Sequence, residues 1–296
     1  MKAAPDPNPA APATPQTPSP VLAPSVTHYE NFPVASWLCP AHLRPAIAAI
    51  YGFARTADDI ADEGDATSEA RLLDLAAFRA DLLACAEGLP VSARWPAVFG
   101  PLAPVMAQYR LPVPLLDDLL TAFEQDVKKT RAGAGYADAA ELLDYCRRSA
   151  NPVGRLLLHL YGVSDEASLA QSDAVCSALQ LINFWQDFSV DLPRGRYYLP
   201  QDRCAALGVD PKAPGAGPET SVLIAEMHQW TLELMQKGSK LAKKLPGRVG
   251  WELRLVVQGG LRVLEKSRRL GVRTLQQRPR LGGRDAPLLL WRALRM

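Results

Sequence analysis

Two aspartate clusters have the residue types and spacing to do chemistry. The first reads Arg55-Thr56-Ala57-Asp58-Asp59-Ile60-Ala61-Asp62-Glu63, and the second runs Gln180-Leu181-Ile182-Asn183-Phe184-Trp185-Gln186-Asp187-Phe188-Ser189-Val190-Asp191. Asp58 and Asp62 are four residues apart, as are Asp187 and Asp191. On a helix each pair leaves one face, about 6 Å apart along the axis. Arg55 stands one turn before the first pair, and Asn183 and Gln180 continue the second stripe toward its N-terminus. The surroundings are apolar: Ala, Ile, Phe and Tyr beside the first cluster, and Leu181, Ile182, Phe184, Trp185 and Phe188 within the second. Carboxylates buried there with few Lys or Arg partners repel one another unless a divalent cation intervenes. Facing each other across a bundle, the four aspartates could hold Mg²⁺, which typically takes one or two carboxylates plus substrate phosphates. The chemistry implied is ionisation of an organic diphosphate, with an apolar, aromatic-lined cavity keeping water from the carbocation. Taken singly, either pair also reads as a solvated face near a helix end. Two such pairs in apolar helices favour one shared site.

The elements that must carry these residues are helices. PAHLRPAIAAIYGFARTADDIADEG has apolar residues at helical spacing and stops at Gly64. Further amphipathic segments are predicted over about 68–87, 95–109, 114–130, 138–161, 168–191, 219–244 and 249–271, separated by Gly, Pro and polar breaks. Asp138 with Glu141 resembles a capping box, and Gly162 closes the same predicted helix. No segment alternates with period two for long enough to make a strand. The expectation is an all-α fold: a large single-domain helical bundle with a central apolar cavity.

Composition narrows the function further. The chain has 296 residues, 48% of them hydrophobic and 22% charged, which excludes disorder as a whole. Lys plus Arg number 33 against 31 Asp plus Glu, too even a balance for a nucleic-acid footprint. Eight of the 26 prolines fall in residues 1–25, read as a disordered Pro/Ala-rich tail ahead of a catalytic domain at 26–278. The tail has no signal-peptide core and no long apolar run follows, so the expected location is cytoplasmic. The basic end, 279–296, carries an apolar LLLW patch among arginines and could lie on the inner face of an anionic membrane. A short docking segment or flexible tail fits it as well. Cys39, Cys85, Cys146, Cys176 and Cys204 have no metal or redox spacing and are expected as buried free thiols. His42, His159 and His228 show no ligand spacing, and no phosphate-binding loop, dinucleotide fingerprint, zinc motif or nucleophile elbow occurs.

These residues carry a resemblance. YGFARTADDIAD resembles the first aspartate-rich motif of the squalene/phytoene synthase family, ALQLINFWQDFSVDLPRGRYYLP its second, and YCRRSANPVG the tyrosine-containing signature between them. The match runs from about His28 to Arg278. It implies an isoprenoid synthase fold in which Asp58, Asp62, Asp187 and Asp191 bind Mg²⁺-diphosphate, supported by Asp59. It further implies that Arg55 contacts phosphate, that Tyr145 joins the catalytic set, and that His28, Phe32, Tyr51, Gln180 and Asn183 bind substrate. Arg194 and Arg196 read either as loop arginines that close over diphosphate or as solvated ones.

Departures from the family pattern sharpen the expectation. Where many members carry a phosphate-binding Lys near the start, this chain has Glu30, and where an Arg usually precedes the first aspartate of the second motif it has Gln186. Losing two cations favours a substrate with one diphosphate, presqualene diphosphate, over two farnesyl diphosphates. HYENFPVAS, RSANPVGR, NFWQD and GGLRVLEK together resemble a bacterial branch, the hydroxysqualene synthases of hopanoid pathways. That resemblance implies loss of diphosphate, cyclopropylcarbinyl rearrangement and capture of the final cation by water, alongside other enzymes of the squalene/hopanoid pathway. Asn31, Asn151 and Gln186 are candidates for placing that water, or else packing and capping residues. The alternatives are a squalene or presqualene diphosphate synthase, a phytoene synthase, and a non-catalytic relative acting as an assembly factor.

Overall fold

The computed structural model describes residues 39–296. Helices make up the fold: α1 (Arg44–Asp62), α2 (Ser68–Ala86), α3 (Pro96–Tyr109), α4 (Val113–Ala132), α5 (Ala139–Ser149), α6 (Asn151–Leu160), α7 (Glu166–Gln186), α8 (Phe188–Asp191), α9 (Gln201–Leu207), α10 (Pro218–Gly238), α11 (Leu241–Lys244), α12 (Gly247–Leu270) and α13 (Ala286–Arg295). No strand occurs among the described residues, so the fold is all-α as expected. Several helix starts are set by short polar side chains that take orphan backbone N–H groups. Thr67 Oγ1 accepts from Ala70 N at 3.2 Å, Asp138 Oδ1 from Glu141 N at 2.8 Å, and Asp165 Oδ1 from Ser168 N at 3.0 Å. Glu141 reaches back to Ala137 N at 2.6 Å, one residue ahead of the donor that a capping box uses.

Three predicted segments divide. The segment expected over 138–161 breaks at Ala150, because Pro152 lacks the N–H that would continue α5 and instead sits in the first turn of α6, where that donor is not needed. The segment over 168–191 breaks at Asp187, whose backbone leaves the helical region with φ −106° and ψ 14° between α7 and α8. The end of 219–244 turns at Ser239 into α11. At the C-terminus, 286–295 is helical and packs on α12. Asp285, buried just ahead of it, accepts from Arg262 Nε at 2.8 Å, Lys266 Nζ at 2.5 Å and Gly282 N at 2.8 Å. The basic end is therefore built into the bundle and is not a loose tail.

Apolar burial falls into neighbouring cores. One is shared by α1 to α4, where Phe78 sits with its ring centroid 5.0 Å from those of both Phe53 and Phe99. A second joins α5, α7, α9 and α10 around Trp185, whose Nε1 donates to Thr231 Oγ1 at 2.8 Å. A third joins α7, α10 and α12 through Leu179, Ile182, Met235 and Val257. Cys39 and Cys85 lie in the first core and Cys146 and Cys204 in the second, and all five thiols are free and buried as expected. Burial pushes Cys176 up to about 12 and Cys204 up to about 11.

Because α7 contacts α5, α6, α10 and α12, its C-terminal turns are held from several sides. Its crossing with α10 is close enough to demand glycine. A Cβ on Gly238 would stand 2.5 Å from Gln171 O and 2.7 Å from Val175 N, backbone atoms that cannot rotate away. Gly238→Ala is therefore expected to destabilise the protein by about 3 kcal/mol. Urea unfolding measures it, and a change below about 0.5 kcal/mol would show that the crossing yields.

Candidate active site

The rotation of α1 is fixed by its buried stripe, Ala46, Ala49, Ile50, Phe53, Ala57 and Ala61. Tyr51, Arg55, Asp58 and Asp62, spaced by four, three and four residues, share a different, half-exposed face. On α7 the logic is tighter still. From Val175 to Asp187 every residue is buried except Gln180, Asn183 and Asp187, which recur at helical spacing. The second stripe is thus what remains after the helix has buried everything else.

The two motifs meet at an arginine. Arg196, on the loop after α8, bonds Asp62 at the end of α1 and faces Asp191 with Nη1 3.9 Å from Oδ1. Its backbone N also donates to Asp191 O at 3.0 Å, which anchors the loop to α8. Burial works against the Arg196 charge, but the bond to Asp62 and the nearby carboxylates more than offset it and hold the guanidinium above its ordinary range. Arg194, the other loop arginine, is exposed. Burial pushes Asp191 up to about 7, opposed by Arg196 and reinforced by Asp187.

The remaining aspartates pair with two further arginines. Arg55 Nη1 lies 3.2 Å from Asp58 and Nη2 2.7 Å from Asp59, along one helix face. Arg278, beyond α12, forks onto Asp187: Nη2 donates to Oδ2 at 2.9 Å and Nε contacts Oδ1. Gln186, a candidate for placing water, donates through Nε2 to Pro279 O at 2.7 Å. It holds in place the segment that brings Arg278 in. Asn151 is also a packing residue, its Oδ1 accepting from Ser177 Oγ at 2.9 Å between α6 and α7.

Sequence reasoning missed a further carboxyl. The Tyr145 hydroxyl donates to Asp126 Oδ2 on α4 at 2.6 Å. Burial pushes Asp126 up to about 7, countered by the Tyr145 bond and Arg196, while Asp62 and Asp58 add to the rise. Burial and the same carboxylate raise the Tyr145 phenol well above its ordinary value. Around this pair the rings close a circuit. Tyr136 and Tyr145 are 5.5 Å apart, Tyr145 and Phe184 6.1 Å, Phe184 and Tyr198 3.7 Å in a stack, and Tyr198 and Tyr136 5.9 Å. Their π faces are the kind of surface that stabilises a cation.

Among the described residues, no three acidic, His or Cys side chains converge closely enough to chelate an ion by themselves. Two carboxylates from different motifs do converge on one guanidinium, so the residues fit a cation held by one or two aspartates and completed by ligand oxygens. Carboxyls here outnumber the arginines bonded to them, which leaves unbalanced negative charge for such an ion. Tyr51, Gln180 and Asn183 stand on the expected stripes, half-buried. His28 and Phe32, with Glu30 and Asn31, lie outside the described residues.

The family model for squalene/phytoene synthase matches residues 26–285. The chain is 36% identical to a hydroxysqualene synthase of Rhodopseudomonas palustris over 232 residues, 77% of this chain and 75% of that one. It is 40% identical to the hydroxysqualene synthase of Sinorhizobium fredii over 63% of this chain and 60% of its relative. With the presqualene diphosphate synthase of R. palustris the identity is 28%, over 79% and 81%. The crystal structure of the squalene synthase HpnC from Alicyclobacillus acidocaldarius superposes with a TM-score of 0.73 at 34% identity, covering 83% of this chain and 90% of that one. Paired aspartates on α1 and flanking α8, bridged by Arg196 beside a ring of aromatic side chains, thus sit in a chain that belongs to the squalene/phytoene synthase family of isoprenoid-processing enzymes.

Proposed function

We propose that this enzyme is a hydroxysqualene synthase: it ionises presqualene diphosphate, lets the cation rearrange and captures it with water. The observation that carries this reading is the higher identity to hydroxysqualene synthases, 36% and 40%, than to a presqualene diphosphate synthase, 28%. In this reading Asp58, Asp62, Asp187 and Asp191 would hold Mg²⁺, and the ion would supply charge neutralisation for the leaving diphosphate. Arg55, Arg196 and Arg278 then meet the diphosphate oxygens as its carbon–oxygen bond breaks and the bonding pair departs with it. Tyr145, fixed by Asp126, stands with Tyr136, Phe184 and Tyr198 against the cation, and these rings exclude water until rearrangement is complete. Water then adds to the final cation and loses one proton, so no hydride donor is consumed. The reaction belongs to the squalene/hopanoid pathway and takes place on the cytoplasmic side.

One observation favours a second reading. Arg278 supplies a cation at the second motif, beside the position where Gln186 had suggested a loss, which strengthens the case for a synthase joining two farnesyl diphosphates. Purified protein incubated with Mg²⁺ and presqualene diphosphate is expected to yield hydroxysqualene with or without NADPH. Turnover of farnesyl diphosphate alone, with presqualene diphosphate untouched, would replace the first reading by the second.

A further inference from the structure

α13 has a burial pattern that its own fold does not use. Leu288, Leu289, Arg292, Ala293 and Met296 are buried or half-buried, on the side toward α12. The opposite stripe, at 286, 287, 290, 291, 294 and 295, is exposed throughout. It holds Leu290 at 52%, Trp291 at 51% and Leu294 at 65% of full exposure. The other large exposed apolar side chains among the described residues, Leu73, Leu83, Leu89 and Val222, are scattered along the chain. Three within five residues on one helical face is a different situation from single exposed leucines, which every soluble protein carries.

The exposed charged side chains within residues 279–296 are all basic. Arg280, Arg284 and Arg295 are exposed, and Arg295 reaches over the Trp291 ring with Cζ 4.6 Å from its centroid. The segment's one acidic residue, Asp285, is buried and locked by Arg262 and Lys266. The surface offered is therefore Leu, Trp and Leu framed by arginines, with no exposed carboxylate in the segment. An aromatic ring and leucines that enter the acyl boundary, with guanidiniums at headgroup level, are the features of a helix that lies in a membrane interface. No helix among the described residues is long and apolar enough to cross a bilayer. A second copy of this chain matches the stripe less well, since the arginine frames of the two copies would meet.

We infer that the outer face of α13 docks this enzyme on an anionic lipid bilayer, with Leu290, Trp291 and Leu294 entering the interface and Arg280, Arg284 and Arg295 meeting lipid phosphates. This rests on the exposed face alone and holds whichever isoprenoid diphosphate is the substrate.

The test is co-sedimentation of the full chain with vesicles of phosphatidylcholine containing phosphatidylglycerol, against phosphatidylcholine alone. The wild type is expected to pellet with the anionic vesicles, and less as salt rises. The double variant Leu290→Glu/Leu294→Glu is expected to lose at least tenfold in partitioning, and Arg284→Glu/Arg295→Glu a similar amount. Turnover of detergent-dispersed substrate by both variants should match the wild type, which separates this inference from the assignment of substrate. Equal pelleting by the wild type and the leucine variant overturns the inference, as does wild-type protein that stays in solution. So does a concentration-dependent dimer in light scattering that the leucine substitutions abolish, since the face would then join two copies.

Discussion

Asp62→Asn is expected to lower turnover by about 10²–10³-fold, equivalent to roughly 3–4 kcal/mol of transition-state stabilisation, while leaving the fold intact. Asp62 ends α1 and bonds Arg196, which also faces Asp191, so it links the two aspartate motifs. Asparagine keeps the shape and one oxygen but removes the charge that a departing diphosphate and its counter-ion require. Stability follows the opposite logic. Asp62 contributes to the upward push on both Asp126 and Asp191, so removing its charge relieves repulsion, and Arg196 keeps Asp191 as a partner. The lost bond to Arg196 works against that relief, so the thermal midpoint should shift little while kcat collapses. Asp74→Asn, at the surface pair with Arg94, serves as the control and should change turnover less than about twofold. Wild-type turnover in Asp62→Asn, and in Asp187→Asn beside it, would remove these carboxylates from the mechanism.

Asp126→Asn should separate stability from function more sharply, and in a pH-dependent way. The folded carboxyl titrates at about 7 against an ordinary 3.8, so between those values the folded state binds more protons than the unfolded one, and stability falls as pH rises. The loss amounts to about 4 kcal/mol by the end of that window. Asparagine cannot ionise, still accepts the Tyr145 hydroxyl, and introduces an amide donor whose own burial costs about 1–3 kcal/mol. The net expectation in urea unfolding at pH 8 is a variant more stable than wild type by about 2 kcal/mol, with the advantage gone near pH 4. Turnover should fall above about pH 7, since asparagine keeps the Tyr145 bond but removes the negative charge beside the cation-facing rings. A variant less stable than wild type at pH 8 would mean that the carboxylate is already relieved, and that its high titration point is wrong. A fold that tolerates a charge it would be safer without fits a site kept for chemistry.

Much of this was legible in the chain. The stripes carrying Asp58, Asp62, Asp187 and Asp191 follow from helical spacing, and the apolar residues between them could only be core. Boundaries failed where a single residue overrides periodicity: Pro152 split one helix, and Asp187 leaves helical geometry although apolar residues continue on both sides. Arg278 was invisible as a site residue because its partner lies 91 positions away, and pattern alone does not report such a meeting. Asp126 did leave a signal. It falls four residues after Ala122 and seven after Leu119, both fully buried, so an acid stands on the core-facing stripe of α4. Lys128 and Lys129 follow it closely and by charge alone read as a solvated helix end, yet Lys129 is clasped by Gly135 O at 2.6 Å and Glu141 at 2.8 Å.

The distribution of the five thiols has a practical reach. Only thiolates alkylate quickly, and burial both hides these sulfurs and holds them protonated. The native protein should be inert to a brief pulse of iodoacetamide, and each opening event should be recorded as added mass. Cys39 and Cys85 belong to the core built by α1 to α4, and Cys146 and Cys204 to the one around Trp185. Peptide mapping of pulsed samples across a denaturant series therefore reads the two halves of the bundle independently. If Cys39 and Cys85 label at lower denaturant than Cys146 and Cys204, the wall carrying the first aspartate motif opens while the second stays closed. The chain would thus carry built-in reporters of which half of the bundle opens first.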